Sequence, residues 1–324
     1  MLFAGGLVLL LVGGKLLVSA SVDAARRLGV SPLVVGLTLV AWGTSAPELA
    51  LNLYSALQNR ADLALGNVVG ANICNLGLVL GFCALLRPLV VQVRLIRVEI
   101  WLNALALVFM AAIGLVGGYS RWEALLLLAG FVIYSAWTIW AAIGESRPAS
   151  ATAASDSLGP DPTQPAPPIS WPAIGVFFLG GLACLGGGGA LASDGATGIA
   201  LRLGVPAALV GVTIVAIGTT LPELVTGVLA VRGGQTDLAM GNALGSCLFN
   251  AGAIFGLVGA ISPPTPEQTP RLALAFMAAF GLAIIPISRT FGRTVSRLEG
   301  GLLLTGYAAF LAISGIAALQ PAGG

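Results

Sequence analysis

Two glutamates stand in matching apolar surroundings, in Gly43-Thr44-Ser45-Ala46-Pro47-Glu48 and in Gly218-Thr219-Thr220-Leu221-Pro222-Glu223. A carboxylate deep in an apolar run costs about 2.5 to 3.5 kcal/mol even on lenient insertion scales, and the chain carries that cost twice. Such groups hold a cation or a proton. Thr44 precedes Glu48 by one helical turn and shares its face. Pro47 and Pro222 lack an amide hydrogen and crowd the preceding turn, so the carbonyls from Ala41 to Gly43, and those near Ala216 to Gly218, are predicted to lose their helical donors. In the next segment of each copy, Asn75 and Asn250 offer amide oxygens, and Ser246, one turn before Asn250, adds a hydroxyl where the first copy has Ala71. Carboxylate, amide, hydroxyl and carbonyl oxygens, without nitrogen or sulfur, describe a hard-cation site suited to calcium, magnesium or sodium.

These residues sit in a chain of 324 residues with only 15 Lys plus Arg and 13 Asp plus Glu. The charged fraction is 9%, against about 25% in soluble domains. Lipid is the expected solvent and partner. With about 20 apolar residues needed per span, ten spans fit, near 2–22, 31–57, 62–86, 98–118, 122–144, 172–199, 206–231, 237–261, 271–289 and 299–319. The fold class is all-α integral membrane protein.

Several chemistries are excluded. There is no histidine, which removes imidazole metal sites, histidine triads and proton relays. The net charge of +2 has no dense arginine run, so nucleic acid is not a partner. Cys74, Cys83, Cys184 and Cys247 stand singly in apolar runs and are read as packing residues. Without a Walker motif ATP is not the energy source, and without GxSxG, GxGD or histidine the chain is not read as an enzyme. No cofactor is expected; the cations are substrates. The run Leu2–Val22 lacks a basic start and is interrupted by Lys15, so it is read as a span rather than a signal peptide.

Residues 36–81 align without gaps onto 211–256 at a fixed offset of 175, with 18 of 46 positions identical. Apolar bias alone would not align Thr44, Pro47, Glu48, Asp62, Asn67 and Asn75 with Thr219, Pro222, Glu223, Asp237, Asn242 and Asn250. The offset contains five spans, so the second copy enters the membrane from the opposite face. Two inverted five-helix repeats follow, 1–144 and 169–324, joined by a linker at 145–168 that holds six prolines. Inverted repeats with interrupted helices are the architecture of secondary transporters. Loops after odd-numbered spans carry ten arginines and the others four. Both termini are therefore placed outside and the linker in the cytoplasm.

The remaining polar residues receive structural readings. Asn67 and Asn242 bridge helices, and the spacing Gly66-x-x-x-Gly70 and Gly241-x-x-x-Gly245 permits close backbone approach. Asp62 and Asp237 favour helix starts, while Lys15 and Asp194 are expected to snorkel toward opposite faces.

The paired GTSAPE and GTTLPE segments, with GNVVGANICN and GNALGSCLFN, resemble the alpha-repeats of sodium/calcium exchangers in the calcium/cation antiporter superfamily, small prokaryotic members above all. The resemblance implies that Glu48 and Glu223 bind a central calcium, with Thr44 and Thr219 beside them. It implies that Ala41, Ser45, Ala216 and Thr220 contribute to calcium and flanking sodium sites, and it maps the family's next polar positions onto Asn75, Asn250 and Ser246. Several relatives have aspartate where this chain has Asn250, and many have serine where it has Ala71. The implied function is exchange of calcium for sodium across a prokaryotic inner membrane. Proton-coupled exchange is the alternative that the missing aspartate and serine favour, and a passive channel is a third reading. Two carboxylates in one low-dielectric pocket make an empty site costly, so competing cations occupy it in turn.

Overall fold

A computed structural model of the protein describes residues 2–93, 97–145, 169–203, 216–264 and 271–319. Nearly all of the predicted linker, from 146 to 168, and residues 206–215 of the predicted seventh span lie outside the described residues.

The helices in chain order are α1 (Leu2–Leu28), α2 (Pro32–Thr44), α3 (Ala46–Leu57), α4 (Ala61–Leu86), α5 (Glu99–Val116), α6 (Arg121–Glu145), α7 (Trp171–Arg202), α8 (Ala216–Thr219), α9 (Leu221–Arg232), α10 (Thr236–Ile261), α11 (Arg271–Ile287) and α12 (Arg297–Leu319). Among the described residues seven, α1, α4, α5, α6, α7, α10 and α12, are long and apolar enough to cross a bilayer. The pair α2 and α3 makes an eighth, bent by 47° at its break, while α11 is apolar but only 17 residues long. The fold departs from the all-α expectation at one place. Leu89–Val90 (β1) and Thr294–Val295 (β2) pair antiparallel, Leu89 opposite Val295.

Local sequence explains where the elements start. Ser31 caps α2, accepting from the Val34 amide at 3.4 Å, and Pro32 fits the first turn because its missing N–H has no partner there anyway. At the start of α6 the Ser120 amide and hydroxyl both donate to the Glu123 carboxylate. At the start of α12 the Ser296 amide donates to Glu299 at 2.8 Å, and the Glu299 amide donates back to the Ser296 hydroxyl at 3.3 Å. Both are S-x-x-E capping arrangements. Ser120-Arg121-Trp122-Glu123 and Ser296-Arg297-Leu298-Glu299 correspond at an offset of 176.

Glycine contacts fix the packing, and they recur in pairs. Along α1 and α7, a Cβ at Gly13 would meet Leu185 N at 2.8 Å, and one at Gly181 would meet Leu17 N at 2.9 Å. The partner numbers fall as the first numbers rise, so the helices run antiparallel. Gly77 on α4 lies against Tyr307 of α12, and its repeat equivalent Gly252 on α10 lies against Phe131 of α6. Thus α12 packs on α4 and α6 packs on α10. Where α4 and α10 cross, the Cys247 thiol lies 3.9 Å from the Asn72 carbonyl. These two positions are equivalents at the 175 offset, and a residue that touches its own equivalent lies at the centre of a two-fold relation.

Connections meet in a consistent set. Arg27 Nε, in the last turn of α1, donates to the Ile169 carbonyl at 2.5 Å, Gln92, after α4, donates to Asp237 at 2.6 Å, and β1 pairs with β2. These contacts join the connections after spans one and five, and separately those after spans three, seven and nine.

Candidate cation-binding site

Two helix breaks face each other. Ser45 interrupts the path from α2 to α3 at φ −88° and ψ 6°, and Thr220 interrupts that from α8 to α9 at φ −93° and ψ 3°. The near-identical geometry follows from the proline two residues after each break. Glu48 and Glu223 then fall in the first turn of α3 and α9, where free N–H groups favour negative charge. The α4 and α10 helices widen into π-turns at Asn75–Val79 and Phe249–Ile254, as is frequent at functional sites. The Asn75 turn packs on α9, which carries Glu223, and the Asn250 turn packs on α3, which carries Glu48.

The two motifs interlock. The Ser45 hydroxyl donates to Glu223 Oε1 at 3.0 Å, and the Thr44 hydroxyl reaches the Asn242 side-chain oxygen at 3.3 Å. Asn242 Nδ2 donates to the Glu223 carbonyl at 3.4 Å, while Asn52 Nδ2 donates to the Glu48 carbonyl at 2.8 Å and accepts from Asn67 at 3.2 Å. The helix-bridging reading of Asn67 and Asn242 agrees with these contacts. Glu48 and Glu223 are 2% and 1% exposed and close enough to interact electrostatically.

The polar balance inside is incomplete. Both carboxylate oxygens of Glu48, Oε2 of Glu223, and the side-chain oxygens of Asn75 and Asn250 are buried without a hydrogen-bond partner, and so is the Ser246 hydroxyl. Buried polar groups are ordinarily paired, and these five acceptors lack any donor. They are what a desolvated cation requires. Among the described residues no group of three His, Cys, Asp or Glu forms, so two acids and neutral oxygens make up the set.

Other predicted residues distribute unevenly. Thr219 lines a cavity with Glu48, and Thr220 is buried beside the Cys74 thiol. Ala216 opens α8. The Ala41 carbonyl departs from expectation because it keeps its helical donor, the Ser45 amide at 3.1 Å, and also accepts from the Thr44 hydroxyl at 3.4 Å. The missing proline amide belongs to the turn that starts at Gly43, two residues further on. Gly241 and Gly245 approach α2 closely, with Cβ positions 2.6 Å from the Leu33 and Leu37 carbonyls. The corresponding partners of Gly66 and Gly70, near 208–216, fall largely outside the described residues. Asp62 and Asp237 stand in first turns, but Arg60 and Gln235 hold the cap positions.

Residues not singled out from sequence also face inward. Asn72 and Thr226 are fully buried with side-chain polar atoms unpartnered. Each lies three positions from a predicted ligand, Asn75 and Glu223, and helical spacing could have found both.

The family model described as sodium/calcium exchanger protein matches residues 1–140 and 173–315. The chain belongs to the sodium/calcium exchanger family. CaxA of Alkalimonas amylolytica, assigned as an antiporter, is 36% identical over 310 residues, covering 93% of this chain and 94% of that one. Sodium/calcium exchanger MaX1 of Methanosarcina acetivorans is 29% identical over 341 residues, covering 95% and 96%. Among solved structures, the sodium-calcium exchanger NCX_Mj soaked with 2.5 mM Na+ and 0.1 mM Ca2+ superposes with a TM-score of 0.79 at 29% identity, covering 99% of this chain and 98% of that one. This member of the exchanger family is thus an integral membrane protein with the fold of a cation antiporter.

Proposed function

We propose that the protein is a secondary active antiporter that exchanges calcium for sodium by alternating access. Glu48 and Glu223 take the ion between them, with Thr44, Thr219, Asn75, Asn250, Ser45, Thr220, Ser246 and the backbone at Ala41 and Ala216 around it. The observation that carries this reading is the set of five buried acceptor oxygens without donors around two interacting carboxylates. In a dry interior, unpaired carboxylates each cost several kcal/mol. One divalent ion cancels both charges, and so do two monovalent ions. Occupancy is then exclusive, and a site loaded on one face and emptied on the other exchanges one cargo for the other. The names of MaX1 and NCX_Mj support calcium and sodium as the pair.

The architecture belongs to the same proposal. Ten spans form two inverted five-helix repeats, 1–144 and 169–324, with the linker 145–168 cytoplasmic and both termini outside, in a prokaryotic inner membrane. The paired glycine contacts, the matched breaks and the matched capping sequences support it.

Proton coupling is the second reading. Asn250 and Ala71 supply an amide and a methyl where relatives carry a carboxylate and a hydroxyl, leaving fewer sodium ligands. Calcium-45 uptake into proteoliposomes tests both, with a sodium gradient, a pH gradient or neither imposed. Sodium-driven uptake supports the proposal, pH-driven uptake alone supports the second reading, and uptake that needs no counter-ion sinks both.

A further inference from the structure

The helix α7 passes both motifs with glycines at the two closest points. A Cβ at Gly186 would stand 3.5 Å from the Pro47 ring, and one at Gly189 would stand 3.5 Å from the Pro222 ring and the Gly218 carbonyl. The space left open is a cavity of about 350 Å³, walled by Glu48, Thr219, Ser193 and Asp194 among others. Glu48 contributes to the wall, and both of its carboxylate oxygens are buried without a donor. Ser193 packs its hydroxyl against Gly218, at the second motif. Asp194 is exposed rather than buried, yet it belongs to the cavity wall. Its exposure agrees with the expected snorkelling, and its place in the wall sets it on the same cavity as Glu48 and Thr219. The repeat equivalents of Ser193 and Asp194 are Val18 and Ser19, so an acid stands on only one of the two equivalent positions.

We propose that Asp194, with Ser193, forms a cation access site at the mouth of this cavity, where a hydrated calcium ion is received and passed along the glycine face of α7 to Glu48. The inference rests on the antiporter reading and adds to it a route and a capture group. A fixed negative charge in a low-dielectric mouth concentrates cations and speeds their arrival. The enrichment factor for a divalent ion is the square of that for a monovalent one, since the same potential acts on twice the charge. Calcium therefore depends on Asp194 more steeply than sodium does.

The test measures exchange kinetics in proteoliposomes. Asp194→Asn should raise KM for calcium roughly tenfold and KM for sodium about threefold, with kcat unchanged, and the calcium effect should shrink as ionic strength rises. Asp194→Glu should restore the wild-type KM. In a Cys184→Ala background, Asp194→Cys should regain low KM with a negatively charged methanethiosulfonate and lose more with a positively charged one. An unchanged KM in Asp194→Asn overturns the inference, and so does a rise that neither salt nor restored charge alters. Wild-type vesicles that exchange calcium for no counter-ion would instead remove the antiporter reading itself.

Discussion

At the residue scale, charge balance separates the members of the site. Calcium needs both carboxylates, and a single glutamine leaves one positive charge uncompensated in a dry interior. Removing one partner of a buried ion pair costs about 3 to 5 kcal/mol, so Glu48→Gln or Glu223→Gln should lower calcium transport by at least about 100-fold. One remaining carboxylate still balances one sodium ion. Sodium binding measured by calorimetry should therefore fall by no more than about tenfold in the same variants. Asn250→Asp acts in the other direction. A third buried negative charge beside Glu48 and Glu223 calls for one more positive ion, and the Hill coefficient for sodium-driven calcium release should rise by about one. An unchanged coefficient would place the Asn250 oxygen outside the ion's reach. Glu48, Glu223, Asn75 and Asn250 were legible because chemistry that is expensive in lipid recurs at one spacing. Asp194 was not, since an acid near a span end reads as solvated until the fold sets it in the wall of the same cavity as Glu48.

At the element scale, the breaks were readable and the widenings were not. Proline dictates where α2 and α8 stop, and the sequence carries it openly. The π-turns at Asn75 and Phe249 have no residue signature of their own. They accompany glycines that the other copy's aromatic rings cover, Gly77 under Phe280 and Gly252 under Phe131, which is tertiary information. The helix starts at Ser120 and Ser296 were available as S-x-x-E patterns just before apolar runs. Close packing makes one substitution decisive. A methyl at Gly241 would meet the Leu33 carbonyl at 2.6 Å and Leu37 N at 3.0 Å, and backbone cannot rotate away as a side chain can. Gly241→Ala should push α2 from α10, lower stability by about 1 to 3 kcal/mol and separate Thr44 from Asn242. Thermal unfolding in detergent should report a lowered Tm, with calcium transport falling alongside it. Gly233→Ala is the control, because its Cβ would meet only the carbonyls of its own helix end at 3.3 and 3.5 Å.

At the scale of the whole molecule, inversion makes a demand that no parallel duplication shares. Gln58 follows α3, and Gly233 follows α9 at the 175 offset, so the two are equivalents at the ends of corresponding helices. Both are exposed, and Gly233 has φ −78°, which any side chain tolerates. If five spans separate them, they must emerge on opposite faces of the bilayer. The arginine count puts Gln58 outside and Gly233 in the cytoplasm, next to Arg87, whose guanidinium lies 3.6 Å from the Cβ position of Gly234. In a Cys184→Ala background, the remaining cysteines Cys74, Cys83 and Cys247 are buried, so an introduced thiol supplies the signal. A membrane-impermeant maleimide added to intact cells should label Gln58→Cys and leave Gly233→Cys unmodified until the membrane is opened. The reverse pattern would flip the orientation but keep the inversion. Labelling of both from one face would make the copies parallel, and then the second carboxylate could not approach from the direction opposite to the first.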